Sequence, residues 1–142
     1  MNECIKHAID RLKKEYGTYN PFLLSDYLGI EIVYVPFLDN PQGQYVKLFD
    51  VPTILINEKL KSSSRRYFVL AHEIYHYLEH EDLAGYYILN SITRGKMESE
   101  ANAFASALLF NYYIEDTGSL PSTVDEIVFA YGVPRKITED YI

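Results

Sequence analysis

The stretch Leu70–His80, LAHEIYHYLEH, constrains the fold of this chain more than any other segment. It lies in a run without turn-forming residues, 67–81, which predicts one helix. His72, His76 and His80 recur at steps close to one helical turn, so their side chains would share one side of that helix. Apolar residues cover most of the remaining surface, which predicts a nearly buried helix. Buried imidazoles need hydrogen-bond partners or a metal.

Within this helix, His72, Glu73 and His76 form an HExxH motif. Two histidines one turn apart present ring nitrogens to a single cation, and the glutamate after the first can act as general base toward water on the metal. The alternative is that two buried histidines hydrogen-bond to carbonyl groups and bind no ligand. The motif favours a metal site with His72 and His76 as ligands and Glu73 as the catalytic base.

His80 continues the four-residue spacing, but helical geometry separates it from the motif. Eight residues of helix displace it by about 12 Å from His72. Ligands of one Zn²⁺ must each lie about 2 Å from the ion, so His80 cannot share it with His72 unless the helix breaks. We expect His80 at the end of the helix, either exposed or lining a cleft.

A third ligand must come from another segment, and the run ESEANAFASALLF offers Glu98 and Glu100 on a second predicted central helix. On a helical wheel Glu100 lies beside small alanines that would let this face approach the histidine helix, whereas Glu98 points nearly the opposite way. The alternative for Glu100 is a solvated carboxylate in the first helical turn. We therefore predict a zinc site of His72, His76 and Glu100, with a fourth position left for water.

The remaining pattern predicts a single domain over residues 1–142 with an α+β fold. Apolar periodicity and turn residues predict further helices over 4–16, 20–28, 121–133 and 134–142, with GYYILNSITRGK as a connection that is either irregular or helical in part. IEIVYVPF, QYVKLFD and TILIN read as strands of a small, mostly antiparallel three-stranded sheet between residues 30 and 57. The sheet would pack against helices, with the HExxH helix in the centre.

Composition narrows the classes of function. Cys4 is the only cysteine, so thiolate metal clusters and internal disulfides are excluded. With 13 Lys and Arg against 20 Asp and Glu, the net charge of −7 argues against direct binding of nucleic acid. It suits a basic protein partner, but acidity that serves solubility alone is the commoner explanation. The N-terminus lacks the pattern of a signal peptide and no run approaches a membrane span, so we expect a cytoplasmic protein.

Three segments in order, ILIN, RRYFVLAHEIYHYLEH and ESEANAFASALL, resemble the ImmA/IrrE family of metallopeptidases, which are often encoded with mobile elements and stress-response systems. The resemblance implies that His72 and His76 bind zinc, that Glu73 is the catalytic base and that Glu100, the glutamate of EAN, is the third ligand. Asn102 matches the asparagine of that motif and either orients a metal ligand from behind or is structural. Many relatives carry a proline soon after the paired leucines, where this chain continues LLFNYY.

The resemblance also implies a substrate, since members of this family cleave or act on helix-turn-helix repressors encoded nearby. Two classes of function remain open: a zinc endopeptidase that cuts a repressor, and a regulator that binds a repressor without cutting it, with zinc structural. The intact Glu73 favours catalysis, because a structural site needs no general base. An unrelated peptidase of broad specificity is a weaker third option. We expect the substrate to lie extended along an edge strand, with QYVKLFD the stronger candidate.

Overall fold

The computed structural model describes residues 2–81 and 91–136 of the chain. The first two helices, α1 (Glu3–Tyr16) and α2 (Pro21–Leu28), begin within one residue of the predicted starts and end where the sequence predicts. The side chain of Asn20 caps the N-terminus of α2, and Gly17 and Gly29 end the two helices with positive φ angles of 75° and 73°. These left-handed positions favour glycine because it has no Cβ.

The described residues contain a mixed three-stranded sheet in the order β1-β3-β2. It consists of β1 (Glu31–Val35), β2 (Gly43–Leu48) and β3 (Val51–Asn57). The hairpin of β2 and β3 is antiparallel, as predicted. Strand β3 lies in the centre of the sheet and pairs in parallel with β1. The α+β fold class is confirmed, with antiparallel pairing over the longer of the two ladders.

Strands β1 and β2 are the two edges of this sheet, so the edge position predicted for QYVKLFD is confirmed. The first residue of β2, Gly43, lies against the helix that carries the HExxH motif. A Cβ added at Gly43 would come within 2.3 Å of Cγ1 of Val69 and 3.5 Å of Cγ of Glu73. The missing side chain therefore permits the close approach of the edge strand to the motif.

The histidine helix differs in one respect from the uninterrupted helix predicted over 67–81. It begins earlier, as α3 (Arg65–Tyr75), and then widens into a π-helical segment, His76–His80. Helix α3 is the centre of the fold, because it packs against α2, β2, β3 and the long helix over Ser91–Thr117. Its buried residues include Leu70, Ala71 and Ile74, all with no exposed surface.

The second central helix is much longer than the predicted 98–110. Helix α4 spans Ser91–Thr117, so residues 91–96 of the predicted connection are helical, whereas residues 85–90 lie outside the described part. Every residue from 103 to 109 is buried. Helix α5 (Val124–Tyr131) follows, and most of the closing helix predicted over 134–142 falls outside the described residues. None of the helices in the described ranges is long and apolar enough to cross a membrane.

Candidate metal centre

The two histidines of HExxH meet a carboxylate from α4. Nε2 of His76 lies 2.8 Å from Oε1 of Glu98, and Nε2 of His72 lies 3.0 Å from Oε2 of the same residue. The two Nε2 atoms are 3.2 Å apart. One ligand atom from each residue therefore lies within 4.8 Å of the others, and among the described residues this is the group that could hold a metal ion. Two imidazoles and a carboxylate are a donor set that suits a divalent cation.

Glu98 therefore occupies the place expected for Glu100. The structure puts Oε2 of Glu100 3.2 Å from Nε2 of His80 instead, so Glu100 is not brought together with His72 and His76. The positions of Glu98 and Glu100 on the helical wheel do not distinguish them, because α4 is buried on nearly all sides over residues 101–109 and small residues lie on both faces. Ala101 and Ala105, on the side of Glu98, are as fully buried as the alanines beside Glu100.

Asn102 supplies the signal that could have identified Glu98. Its Oδ1 accepts a hydrogen bond from Nδ1–H of His72 at 2.8 Å. This bond keeps a proton on Nδ1, so Nε2 is the nitrogen of His72 that is able to bind a cation. Residues four apart share a helix face, so an asparagine behind His72 already implies that Glu98, one turn earlier, faces the same histidine. Of the two roles left open for Asn102, the contact supports that of orienting His72.

Glu73 is buried beside this group, with only 8% of its surface exposed. Its Oε1 accepts a 2.7 Å hydrogen bond from the backbone N–H of Tyr45 on β2, and its Oε2 lies 3.7 Å from Nε2 of His72. Burial raises the pKa of Glu73, although both motif histidines and the Tyr45 N–H act in the opposite direction. A carboxylate with a raised pKa is a stronger base at neutral pH than an exposed one.

The surroundings of His72 attract positive charge. Burial lowers the pKa of His72, but its hydrogen bond to Glu98 and the charges of Glu73 and Glu98 outweigh burial and raise it overall. The same field that stabilises a protonated imidazole stabilises a cation at the imidazole nitrogens. The electrostatics and the donor set thus agree on a cation site.

His80 does not belong to the group of possible ligands, in agreement with its expected separation from His72. Of the two positions expected for His80, exposed or lining a cleft, the structure shows the second, since His80 lines a cavity and is 6% exposed. Burial lowers the pKa of His80, while Glu100 acts to raise it. Nδ1 of His80 lies 3.0 Å from Nδ1 of His76.

Two cavities border the candidate metal centre, and both are lined by Gly43 of β2 and Glu73 of α3. The larger, about 860 Å³, is lined by residues of β2 including Tyr45 and Lys47, together with Glu73 and His76. The smaller, about 410 Å³, extends past His72 toward the start of α3. Together they form a cleft beside the edge strand, and Glu73 and Glu98 line both cavities.

A buried HExxH helix joined by a carboxylate from a second helix, with a cleft beside an edge strand, defines a metallopeptidase domain. The chain belongs to peptidase family M78, the IrrE N-terminal-like domain, because the family model matches residues 25–137. The resemblance to ImmA/IrrE proteins is thereby confirmed.

Two relatives show the same kinship. The chain is 34% identical over 113 residues to Metallopeptidase ImmA of Bacillus subtilis (strain 168), a match that covers 74% of this chain and 62% of that protein. It is 30% identical over 136 residues to Uncharacterized immunity region protein 2 of Bacillus phage phi105, covering 94% and 85%. The chain thus spans less than two thirds of the length of Metallopeptidase ImmA. No solved structure matches significantly.

Proposed function

We propose that this chain is a zinc-dependent endopeptidase that cleaves a cytoplasmic helix-turn-helix repressor at a specific site and so releases gene expression. The observation that carries the proposal is the position of Glu73. A carboxylate with a raised pKa lies buried beside the Nε2 atoms of two histidines and opens into a cleft. A metal site with only a structural role would not require this group.

The residues proposed to hold the zinc are His72, His76 and Glu98. They make the two-histidine, one-glutamate set of catalytic zinc sites, with Glu98 in place of the expected Glu100. A bound zinc ion would supply Lewis acidity, which polarises a carbonyl and makes water more acidic. Asn102 holds the ring of His72 in the tautomer that this role requires.

Glu73 is the proposed general base. Its Oε1 is held by the N–H of Tyr45, so Oε2 is the oxygen directed toward the histidines. In hydrolysis this carboxylate takes a proton from the attacking water and later passes it to the leaving amine. Because the carboxylate is fixed from behind by a main-chain donor, it does not need to reorient before it accepts the proton.

Strand β2 is the proposed docking edge for an extended segment of the substrate. Along an antiparallel edge strand, the backbone N–H and C=O groups of one residue bond to the neighbouring strand, and those of the next residue point away from the sheet. Tyr45 belongs to the outward set, since its N–H donates to Glu73 and not to β3. Gly43 and Lys47, two residues to either side, share this orientation, so their peptide groups can pair with a substrate strand beside the metal centre.

The repressor as substrate is supported by the family to which the chain belongs and by the relative named as an immunity region protein of a bacteriophage. The net charge of −7 is compatible with a basic protein of the DNA-binding type. The same kinship supports an origin in a mobile element. An edge strand that binds its substrate through main-chain hydrogen bonds needs an extended segment in that substrate. A linker in a repressor can provide such a segment.

The test is incubation of the purified protein with repressors encoded in neighbouring genes, for the wild type, for Glu73→Gln and for the exposed control Glu15→Gln. Wild type and control should yield two fragments, whereas Glu73→Gln should bind the repressor and leave it intact, because glutamine keeps the shape but cannot accept the proton. If wild type and Glu73→Gln both released repression and neither cut the repressor, the protein would be a binding regulator and not a peptidase.

A further inference from the structure

We propose that His80 and Glu100 act together as positioning residues for His76, forming a hydrogen-bonded relay that fixes the ring and the tautomer of this metal ligand from behind. The inference rests on the proposed metal site. It assigns a role to the third histidine of the LAHEIYHYLEH stretch, which is not a ligand, and to the carboxylate that is not brought to the metal centre.

The relay is a continuous chain of contacts between two elements. Nδ1 of His76 lies 3.0 Å from Nδ1 of His80, and Nε2 of His80 lies 3.2 Å from Oε2 of Glu100 on α4. The side chain of His80 is 5% exposed and that of Glu100 is 26% exposed. The bond between the two histidines is therefore shielded from water, while the carboxylate at the outer end remains partly hydrated.

Only one arrangement of protons allows both hydrogen bonds of the relay to form when His76 binds a metal through Nε2. The neutral ring of His76 then carries its proton on Nδ1 and donates it to Nδ1 of His80. Since Nδ1 of His80 accepts, its own proton lies on Nε2 and is donated to the carboxylate of Glu100. The negative charge of Glu100 thus favours, through His80, the tautomer in which Nε2 of His76 is a lone-pair donor.

Local structure places His80 for this role. The widening of the helix over His76–His80 brings the two rings to a centroid distance of 5.1 Å. The ring of His80 also packs edge-on against that of Tyr75, which is 1% exposed, with centroids 5.3 Å apart. Because these contacts already fix the ring of His80, its Nδ1 points at His76 before a metal binds. Metal binding therefore costs no further side-chain entropy at His80.

The two histidine ligands are therefore supported differently. His72 has the neutral amide of Asn102 behind it, whereas His76 has a second imidazole and a carboxylate. Partners of this kind typically change metal affinity by about 10–100-fold when removed. A purely structural polar cluster would instead contribute to folding and leave metal affinity unchanged once folded protein is compared.

The experiment measures zinc affinity by competition with a chelator for wild type, His80→Leu, His80→Gln, Glu100→Gln and the exposed control Ser99→Ala. His80→Leu removes the acceptor and should weaken zinc binding about 10–100-fold. His80→Gln can accept the Nδ1–H of His76 through its side-chain oxygen and should restore part of the affinity. Glu100→Gln keeps an acceptor without the charge and should show a smaller loss, and Ser99→Ala none.

Two further readouts separate positioning from folding. The visible absorption of the cobalt-substituted protein should change in His80→Leu, and ¹⁵N NMR of the wild type with zinc should show the His76 proton on Nδ1. Wild-type affinity and cobalt spectrum in folded His80→Leu would overturn the relay while leaving the proposed function intact. Failure of the wild type to bind zinc would refute the proposed function, and the relay with it.

Discussion

The backbone N–H of Tyr45 donates a 2.7 Å hydrogen bond to Oε1 of Glu73, so the edge strand β2 directly holds the side chain proposed as general base. Glu73 is buried, and this N–H is a main-chain donor whose position depends on the sheet. Because the bond joins two elements far apart in sequence, the approach of β2 to α3 determines where the carboxylate lies. The geometry of the base is thus a property of the sheet as much as of the HExxH helix.

The first prediction follows from this approach. Gly43→Ala would place a Cβ 2.3 Å from Cγ1 of Val69 and 3.5 Å from Cγ of Glu73, so the Val69 side chain or the strand must shift. Overpacking of this kind should lower the free energy of unfolding by about 1–3 kcal/mol and reduce peptidase activity through displacement of Glu73. Chemical denaturation and a cleavage assay measure the two effects. Gly95→Ala in α4, where a Cβ meets nothing within 4 Å, is the matched control and should be neutral or slightly stabilising.

The second prediction distinguishes Glu98 from Glu100, two of the three glutamates of α4. Glu98→Ala removes a proposed ligand and should weaken zinc binding by more than about 100-fold. This loss exceeds the one expected when a residue that only hydrogen-bonds to a metal ligand is removed. Glu100→Ala should lose less, since Glu100 contacts His80 and not the ligand group. Metal content after gel filtration, at about one zinc per wild-type chain, measures the difference. Equal retention by both variants would show that the carboxylate ligand is another residue.

A third prediction concerns the turn between β2 and β3. Phe49 and Asp50 have positive φ angles of 50° and 67°, and Phe49 is fully exposed. A bulky residue in this conformation is strained, whereas asparagine and glycine are favoured in such turns. Phe49→Asn should therefore raise the free energy of unfolding by up to about 1 kcal/mol. Leu38→Asn, at an exposed site without a positive φ, should have no such effect in the same thermal unfolding assay.

The fourth prediction is a pH dependence of stability at Glu115. Its carboxylate accepts hydrogen bonds from the hydroxyl of Thr18 at 2.6 Å and the N–H of Tyr19 at 3.0 Å. Burial acts to raise the pKa of Glu115, but these bonds and the nearby Lys13 outweigh it and lower the pKa below its ordinary value. A lowered pKa in the folded protein contributes stability above the unfolded pKa of about 4.3, which is lost as pH falls through the folded value.

Glu115→Gln should therefore lower the free energy of unfolding by about 1–2 kcal/mol at pH 7. The difference from wild type should shrink as the pH is lowered from about 5 to 3, as measured by urea denaturation at each pH. The exposed Glu15→Gln serves as control. A difference that stayed constant down to pH 3 would mean that the charge of Glu115 contributes nothing to stability.

The fold was predictable where local signals act independently of packing. Asn20 at a helix start and Gly17 and Gly29 at helix ends specify α1 and α2, because capping and left-handed positions depend on short segments. The β2–β3 hairpin and its edge position likewise follow from strand patterns separated by a turn. The pairing of β1 with β3 was not predicted, since a parallel ladder depends on contacts remote in sequence.

The candidate site was predictable only in part. HExxH identifies two histidines and a base from spacing alone, but the choice between Glu98 and Glu100 requires knowledge of which face of α4 meets α3. That face is not marked by polarity, because residues 103–109 are buried all round. The π-helical segment has no breaking residue in its sequence, so its widening could not be predicted; it coincides with a local contact of His80 with Tyr75 and a contact with Glu100 on α4.

Helix α4 has a further mechanical consequence. It carries Glu98 near one end and Glu115 toward the other, roughly 25 Å apart along the axis, and runs without interruption over Ser91–Thr117. The contacts of Glu115 with Thr18 and Tyr19 attach the far end to the segment that follows α1. Since an α-helix is stiff along its length, α4 keeps Glu98 at a fixed distance from that attachment. The position of Glu98 relative to the two histidines therefore depends on contacts at the opposite end of the helix.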